Sequence, residues 1–313
     1  MLKLCIRLLL VWAILHPAVC IRTQTPGPDA SWPIIYSSNG ESDATAQDYD
    51  RIGSDFRRNL HEYELLPAAR EVLRYNASTQ EFLDAQFHAA LCRTSNCRAS
   101  FDKWDCGELC ETYLPDGQVI RAFSTFPMGV SNIKLVDHPF IEGAKVQEGL
   151  LGAVRDIYKI VHTALYDQLQ LTPDYKVDVT GHSFGAGVGS LLVAELNHRL
   201  DLVNSTNLSG HLMGKARVGT YKYAEYFAQQ NLSIRRYVEE GDDIVHYPDI
   251  RDGYVHEGDE YWLENAIMQE MSLCPGPYET RDCSNRVKYT KSTQHLIYWN
   301  IIQNCDTDFF NII

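Results

Sequence analysis

The sequence predicts an α/β domain built on a mostly parallel central sheet flanked by helices, and three observations carry that expectation. The stretch "VDVTGHSFGAGVGSLLVAELNHRL" (177–200) changes from strand spacing to helical spacing across a few glycines. Leu150, Leu151, Val154, Ile157, Ile160, Val161, Ala164 and Leu165 share one helical face, as a helix covering a sheet requires. "IRRYVEEGDDIVHYPDI" (234–250) reads as a strand running into an acidic loop. With 313 residues, 45% of them hydrophobic, the chain can bury the core of one large domain.

The elements follow in chain order. Lys3 and Arg7 precede the apolar run Leu8 to Leu15, and Ala18 and Cys20 put small residues where a signal peptidase reads, so 1–20 is expected to be a signal peptide and the protein secreted. That run is too short to cross the ~30 Å hydrocarbon core as a helix. Residues 21–75 are rich in Pro, Ser, Asp and Gly without a sustained period, and are expected to form a low-order N-terminal or pro-segment. The folded domain is expected over 76–313. Within it, helical spacing runs from Thr79 to Ala90, "QVIRAFSTF" (118–126) reads as a strand, and Lys176 to Thr180 is a short strand with Val177 and Val179 on one side. Gly189 to Leu200 is helical through Leu192, Leu196 and Leu200.

A net charge of −13 without any basic stripe excludes a nucleic-acid partner. Without Cys5 and Cys20 the chain keeps seven cysteines, which in an oxidising compartment read as disulfides with one thiol left over. Their spacings lack the paired ligands of a zinc site. Asn76, Asn204, Asn207 and Asn231 begin glycosylation sequons, consistent with secretion.

The turn at Ser183 points to chemistry. A strand that passes directly into a helix crowds its central residue, and Gly181 and Gly185 flank Ser183 at two residues on each side. Such an elbow exposes the hydroxyl above the sheet and aims the backbone N–H of Phe184 where a carbonyl oxygen would gain charge. A serine nucleophile needs a base, and an acid to orient that base, here in the order Ser, Asp or Glu, His. His246, His256 and His295 all follow plausible acids, and Asp242 and Asp243 stand at the carboxyl end of a strand. The spacing leaves both choices open.

"YKVDVTGHSFGAG", "GKARVG" (214–219), "GDDIVHYPDI", "GYVHEGDEYW" (253–262), "DCSN" (282–285) and "QHLIYW" (294–299) together resemble the class 3, fungal-type triacylglycerol lipases, nearest to the secreted lipases of mucor-like moulds. The resemblance runs from about Ser78 to Cys305. It implies an α/β-hydrolase fold and hydrolysis of acylglycerol esters at a lipid–water interface, with no cofactor and no metal. It further implies Ser183 as nucleophile, Asp243 as orienting acid, His295 as general base and His182 as a support of the elbow. His256 and His246 then fall outside the triad. The same pattern implies the disulfides Cys97–Cys305, Cys106–Cys110 and Cys274–Cys283, with Cys92 as the odd thiol.

The chain departs from this pattern in one place. "STFPM" (124–128) passes straight into "GVSNIKLVDHPFIEGAKV" (129–146), and no Arg-Gly dipeptide occurs. The family's second apolar strand, which supplies an oxyanion donor, and the lid after it are therefore missing, which leaves the second oxyanion donor unknown. Phe184 also stands for a usual leucine, Ala186 for a glycine and Gln147 for a histidine. The alternatives to a lipase are a feruloyl-type esterase, a catalytically impaired secreted lipid-binding paralogue, or a truncated gene product.

Overall fold

The computed structural model describes residues 2–8, 18–24, 32–36, 55–57, 64–76, 79–96, 108–113, 117–122, 124–125 and 133–303. Among them, nine strands form the central sheet: β1 (Leu2–Leu8), β2 (Ala18–Gln24), β3 (Leu73–Asn76), β4 (Ser124–Thr125), β5 (Lys176–His182), β6 (Leu208–Met213), β7 (Ser233–Glu239), β8 (Asp259–Asn265) and β9 (Glu270–Cys274). Their spatial order is β3-β9-β8-β7-β6-β5-β2-β1-β4. The middle of the sheet, β5 to β8, is parallel throughout, with Val177 opposite Leu208, Gly210 opposite Ile234 and Tyr237 opposite Tyr261. Four parallel strands bring four carboxyl ends to one edge, where loops can converge on a ligand.

Helices cover both faces. α1 (Gln80–Asn96) lies on one; α3 (Glu148–Leu171), α4 (Phe184–Arg199) and α5 (Tyr221–Gln229) lie on the other, and a short α2 (Glu108–Tyr113) follows α1. The period of two along the strands sorts the side chains. Val177, Val179, Leu208, Leu212 and Ile234 join the core beneath α3 and α4, whereas Met213, Tyr237 and Tyr261 face the core beneath α1. The stripe predicted from Leu150 to Leu165 is buried in α3, except that Ile160 is half-buried. α3 rests against α4, which itself covers β5 and β6. That contact is close: a Cβ on Gly187 of α4 would lie 3.0 Å from Leu150 of α3.

The predicted strand at 118–126 divides into Gly117–Ala122, paired with Trp32–Tyr36 outside the central sheet, and β4. Residues 21–75, expected to be of low order, contain most of β2, the strands Trp32–Tyr36 and Asp55–Arg57, and β3. Each is short, and each pairs with a strand distant in sequence, so no local period announces it. β2 runs antiparallel along β5, Ala18 opposite His182 and Gln24 opposite Lys176. One flank of β5 is therefore occupied by the N-terminal segment.

Cys274 and Cys283 form the expected disulfide. The pairs Cys97–Cys305 and Cys106–Cys110 involve residues outside the described set. Cys92 is buried in α1, and burial raises its thiol pKa well above the ordinary value. Of the sequon asparagines, Asn76, Asn204 and Asn231 are exposed. Asn207 is half-buried, and its Nδ2 donates to the Leu202 carbonyl at 3.0 Å, which leaves Asn204 the more accessible of the neighbouring pair. Among the described residues no helix is long and apolar enough to cross a membrane.

Candidate active site

The site grows from the end of β5. Ser183 has φ 57° and ψ −124°, a conformation that L-residues rarely adopt, at the junction of β5 and α4. Its backbone is held on both sides: its N–H donates to the Met213 carbonyl at 2.9 Å, and its carbonyl accepts from Ala186 at 3.0 Å and Gly187 at 3.2 Å. Gly181 explains why the turn can close, since a Cβ there would lie 2.4 Å from the Gly185 carbonyl oxygen. Phe184 is the first residue of α4, so its N–H is one of the helix-start donors left without an intrahelical acceptor. Residues 126–132, the last residue of the predicted strand and the six after it, lie outside the described set, and no second oxyanion donor is assigned.

His295 comes from the short turn Ser292–Leu296 and is 1% exposed. Its Nδ1 lies 2.7 Å from Asp242 Oδ2. This corrects the expectation for Asp243, whose Oδ2 instead accepts from Ser292 Oγ at 2.5 Å. The reason is the tight turn after β7. Glu240 takes a positive φ, Asp242 N–H donates to Glu239 O at 2.9 Å, and Ile244 N–H donates to Asp242 Oδ1 at 2.9 Å. Asp242 is thereby turned inward and fully buried, while Asp243 stays at the rim. Burial raises the Asp243 pKa.

Neighbours fix the pair. Tyr298, three residues beyond His295 in the same motif, also donates its hydroxyl to Asp242 Oδ2. Sequence reasoning missed this group, although "QHLIYW" contains it. His182 Nε2–H donates to the His295 carbonyl at 2.9 Å; burial and the neighbouring His295 push its own pKa well below the ordinary value, so its ring is neutral. Gly214 closes the floor, where a Cβ would sit 2.7 Å from His295 Cε1. His295 Nε2, the ring atom turned away from Asp242, has no hydrogen-bond partner among the described residues. Deeper in, burial lifts the Glu239 pKa to about 8 while its carboxylate accepts the Trp299 N–H at 2.9 Å.

The other candidates lie elsewhere. His256 is buried and bonded through Nε2 to the Val245 carbonyl at 2.8 Å, and the His246 carbonyl accepts from Arg217. Gln147 is buried too, its Nε2 donating to the Arg217 carbonyl at 2.8 Å. Arg217 forms a buried two-pronged pair with Glu279 at 2.8 and 2.6 Å, which braces the loops beside the acidic turn.

Residues 120–251 match the family described as Lipase (class 3). The chain is similar to the lipase of Rhizomucor miehei, 29% identical over 257 residues that cover 72% of this chain and 70% of that protein. It is also 28% identical to the lipase of Rhizopus niveus, over 72% of this chain and 65% of that protein. A solved triacylglycerol lipase, described as having a serine protease triad as its catalytic centre, superposes with a TM-score of 0.65 and 27% identity, covering 74% of this chain and 98% of that chain. With the parallel sheet and the serine elbow in place, these likenesses identify an α/β-hydrolase fold. Over residues 120–251 by its family match, and over most of its length by these relatives, the chain is similar to class 3 lipases.

Proposed function

We propose that the chain hydrolyses acylglycerol esters at a lipid–water interface by an acyl-enzyme mechanism, with Ser183 as nucleophile, His295 as general base and Asp242 as the acid that orients it. The observation that carries this reading is the 2.7 Å contact between His295 Nδ1 and Asp242 Oδ2, beside a strained serine elbow, with His295 Nε2 left unengaged. Nε2 takes the proton of Ser183 Oγ as the oxygen attacks the ester carbonyl. Asp242 stabilises the imidazolium so formed. The tetrahedral oxyanion collapses, the leaving alcohol takes the proton back from His295, and Oγ keeps the acyl group. Water, activated by His295 in the same way, then releases the fatty acid and restores the serine. The Phe184 N–H stabilises the oxyanion; loss of one such donor costs about 3–4 kcal/mol in a related mechanism, so turnover below that of a complete site is expected.

The reading includes secretion, supported by the signal-like residues 1–20 and by the Cys274–Cys283 disulfide, a bond typical of oxidising compartments. The test is release of p-nitrophenol from short and long acyl esters by the purified chain and by Ser183→Ala. We expect serine-dependent release with long chains preferred when presented as an emulsion. Equal release by the Ser183→Ala protein would overturn the assignment, and a preference for feruloyl esters would move the chain to the other substrate class.

A further inference from the structure

The face of the sheet beneath α1 carries a second cluster of reactive side chains. Asp84 and His88 are four residues apart on α1, on the helix face that meets the sheet, and His211 rises toward them from β6. Each offers one ligand atom, and those atoms lie within 4.8 Å of one another. His88 Nε2 is 3.8 Å from Asp84 Oδ1, and the two imidazoles stack with centroids 3.6 Å apart. Both histidines are at least 96% buried, at 0% and 4% exposed.

The surroundings hold these groups in place. Thr180 Oγ1 lies 2.7 Å from His88 Nδ1, and the Tyr237 hydroxyl lies 3.0 Å from His211 Nδ1. Arg235 donates to Asp84 Oδ2 at 3.0 Å, so one carboxylate oxygen is anchored while the other faces His88. Hydroxyls on ring nitrogens and a donor on the carboxylate are the outer partners that orient metal ligands. A pocket of about 270 Å³, lined by Asp84, Asp178, Ser209, His211, Arg235 and Lys176, opens the cluster to solvent. It provides an entry path. Asp178, 4.0 Å from His211 Nε2, adds a second carboxylate, so Asp84 and Asp178 balance the charges of Arg235 and Lys176.

We propose that Asp84, His88 and His211 form a binding site for one divalent transition-metal ion, of the borderline class that imidazole and carboxylate suit, zinc foremost. Two imidazoles and a carboxylate leave an open position for water. A four-coordinate ion holds adjacent ligands about 3.4 Å apart, so capture draws the cluster together by about 1 Å and splays the stacked rings. The site joins α1 to the middle of β5, β6 and β7, on the sheet face that α1 covers. Its role is to fasten α1 to the sheet. The inference does not rest on the hydrolase reading.

The test uses the full chain, stripped with chelator and titrated with cobalt(II) as a spectroscopic probe and with zinc(II) by calorimetry. One equivalent of cobalt with visible d–d absorption, displaced by zinc, is expected, together with a rise in the thermal midpoint. Asp84→Asn and His88→Gln should each weaken binding more than about tenfold. Asp84 is partly exposed, so its variant keeps the fold even if His88→Gln does not. Absence of binding at millimolar metal, or affinity undiminished in folded Asp84→Asn protein, overturns the proposal.

Discussion

Asp242 and Asp243 differ by one position, and the turn gives them different surroundings. Asp242 receives His295 and Tyr298 in a buried setting; Asp243 meets Ser292 at the rim. Asp242→Asn is expected to lower kcat by about 10⁴-fold, because the imidazole loses both its tautomer control and the partner of its charged form. Asp243→Asn should leave hydrolysis within a few-fold of the parent. Matched kcat and KM values for the two variants check this, and a larger loss in Asp243→Asn would return the role to that residue. Glu279 makes a second residue-level case. Burial alone would raise its pKa, but the Arg217 charge and hydrogen bonds carry it down to about 2. Its folded pKa lies below its unfolded value of 4.5, so its contribution is complete above that value and is lost as pH falls toward 2. Glu279→Gln should cost about 3–5 kcal/mol at neutral pH by leaving a buried guanidinium uncompensated, and should flatten the acid limb of stability. Urea unfolding at several pH values reads both effects.

At the scale of elements, the β5–α4 joint depends on how closely strand and helix approach. The Gly185 carbonyl occupies the space a Gly181 side chain would need. Gly181→Ala is therefore expected to destabilise by more than the ~1–3 kcal/mol of ordinary overpacking, because backbone, not a movable side chain, blocks the new methyl. Thermal unfolding and p-nitrophenyl ester hydrolysis should fall together; a stable, active Gly181→Ala protein would contradict the account of the elbow. This joint was legible in the sequence, since "TGHSFGAG" contains both the glycines and the change of period. The choice between the two aspartates was not. A one-residue difference in a turn leaves composition and spacing almost unchanged, and only the hydrogen bonds of Glu239, Asp242 and Ile244 decide which side chain turns inward.

For the whole molecule, the flank of β5 is the sensitive edge. β2 pairs along its full length, so removing the N-terminal residues leaves β5 as an exposed sheet edge with a row of unpaired backbone donors and acceptors. A chain beginning at residue 25 should melt at lower temperature and aggregate more than the full chain, measured by calorimetry and light scattering; equal stability would show that β2 adds nothing to the sheet. Sequencing the amino terminus of secreted protein tests the signal-peptide reading on the same residues, since cleavage after Cys20 removes β1 and shortens β2.

The sequence by itself determined the parallel βα core and the strand-to-helix turn at Ser183, because each is written in local spacing, whereas His295 and the Cys274–Cys283 bond were singled out only through the resemblance of whole motifs to a family. Tertiary structure alone decided that Asp242 is the carboxylate at His295, that Tyr298 joins it, that β2 lies beside β5, and that Asp84 and His88 meet His211. Each of these depends on side chains or strands brought together from distant positions, or on the direction of one residue in a turn. Local periodicity carries neither kind of information.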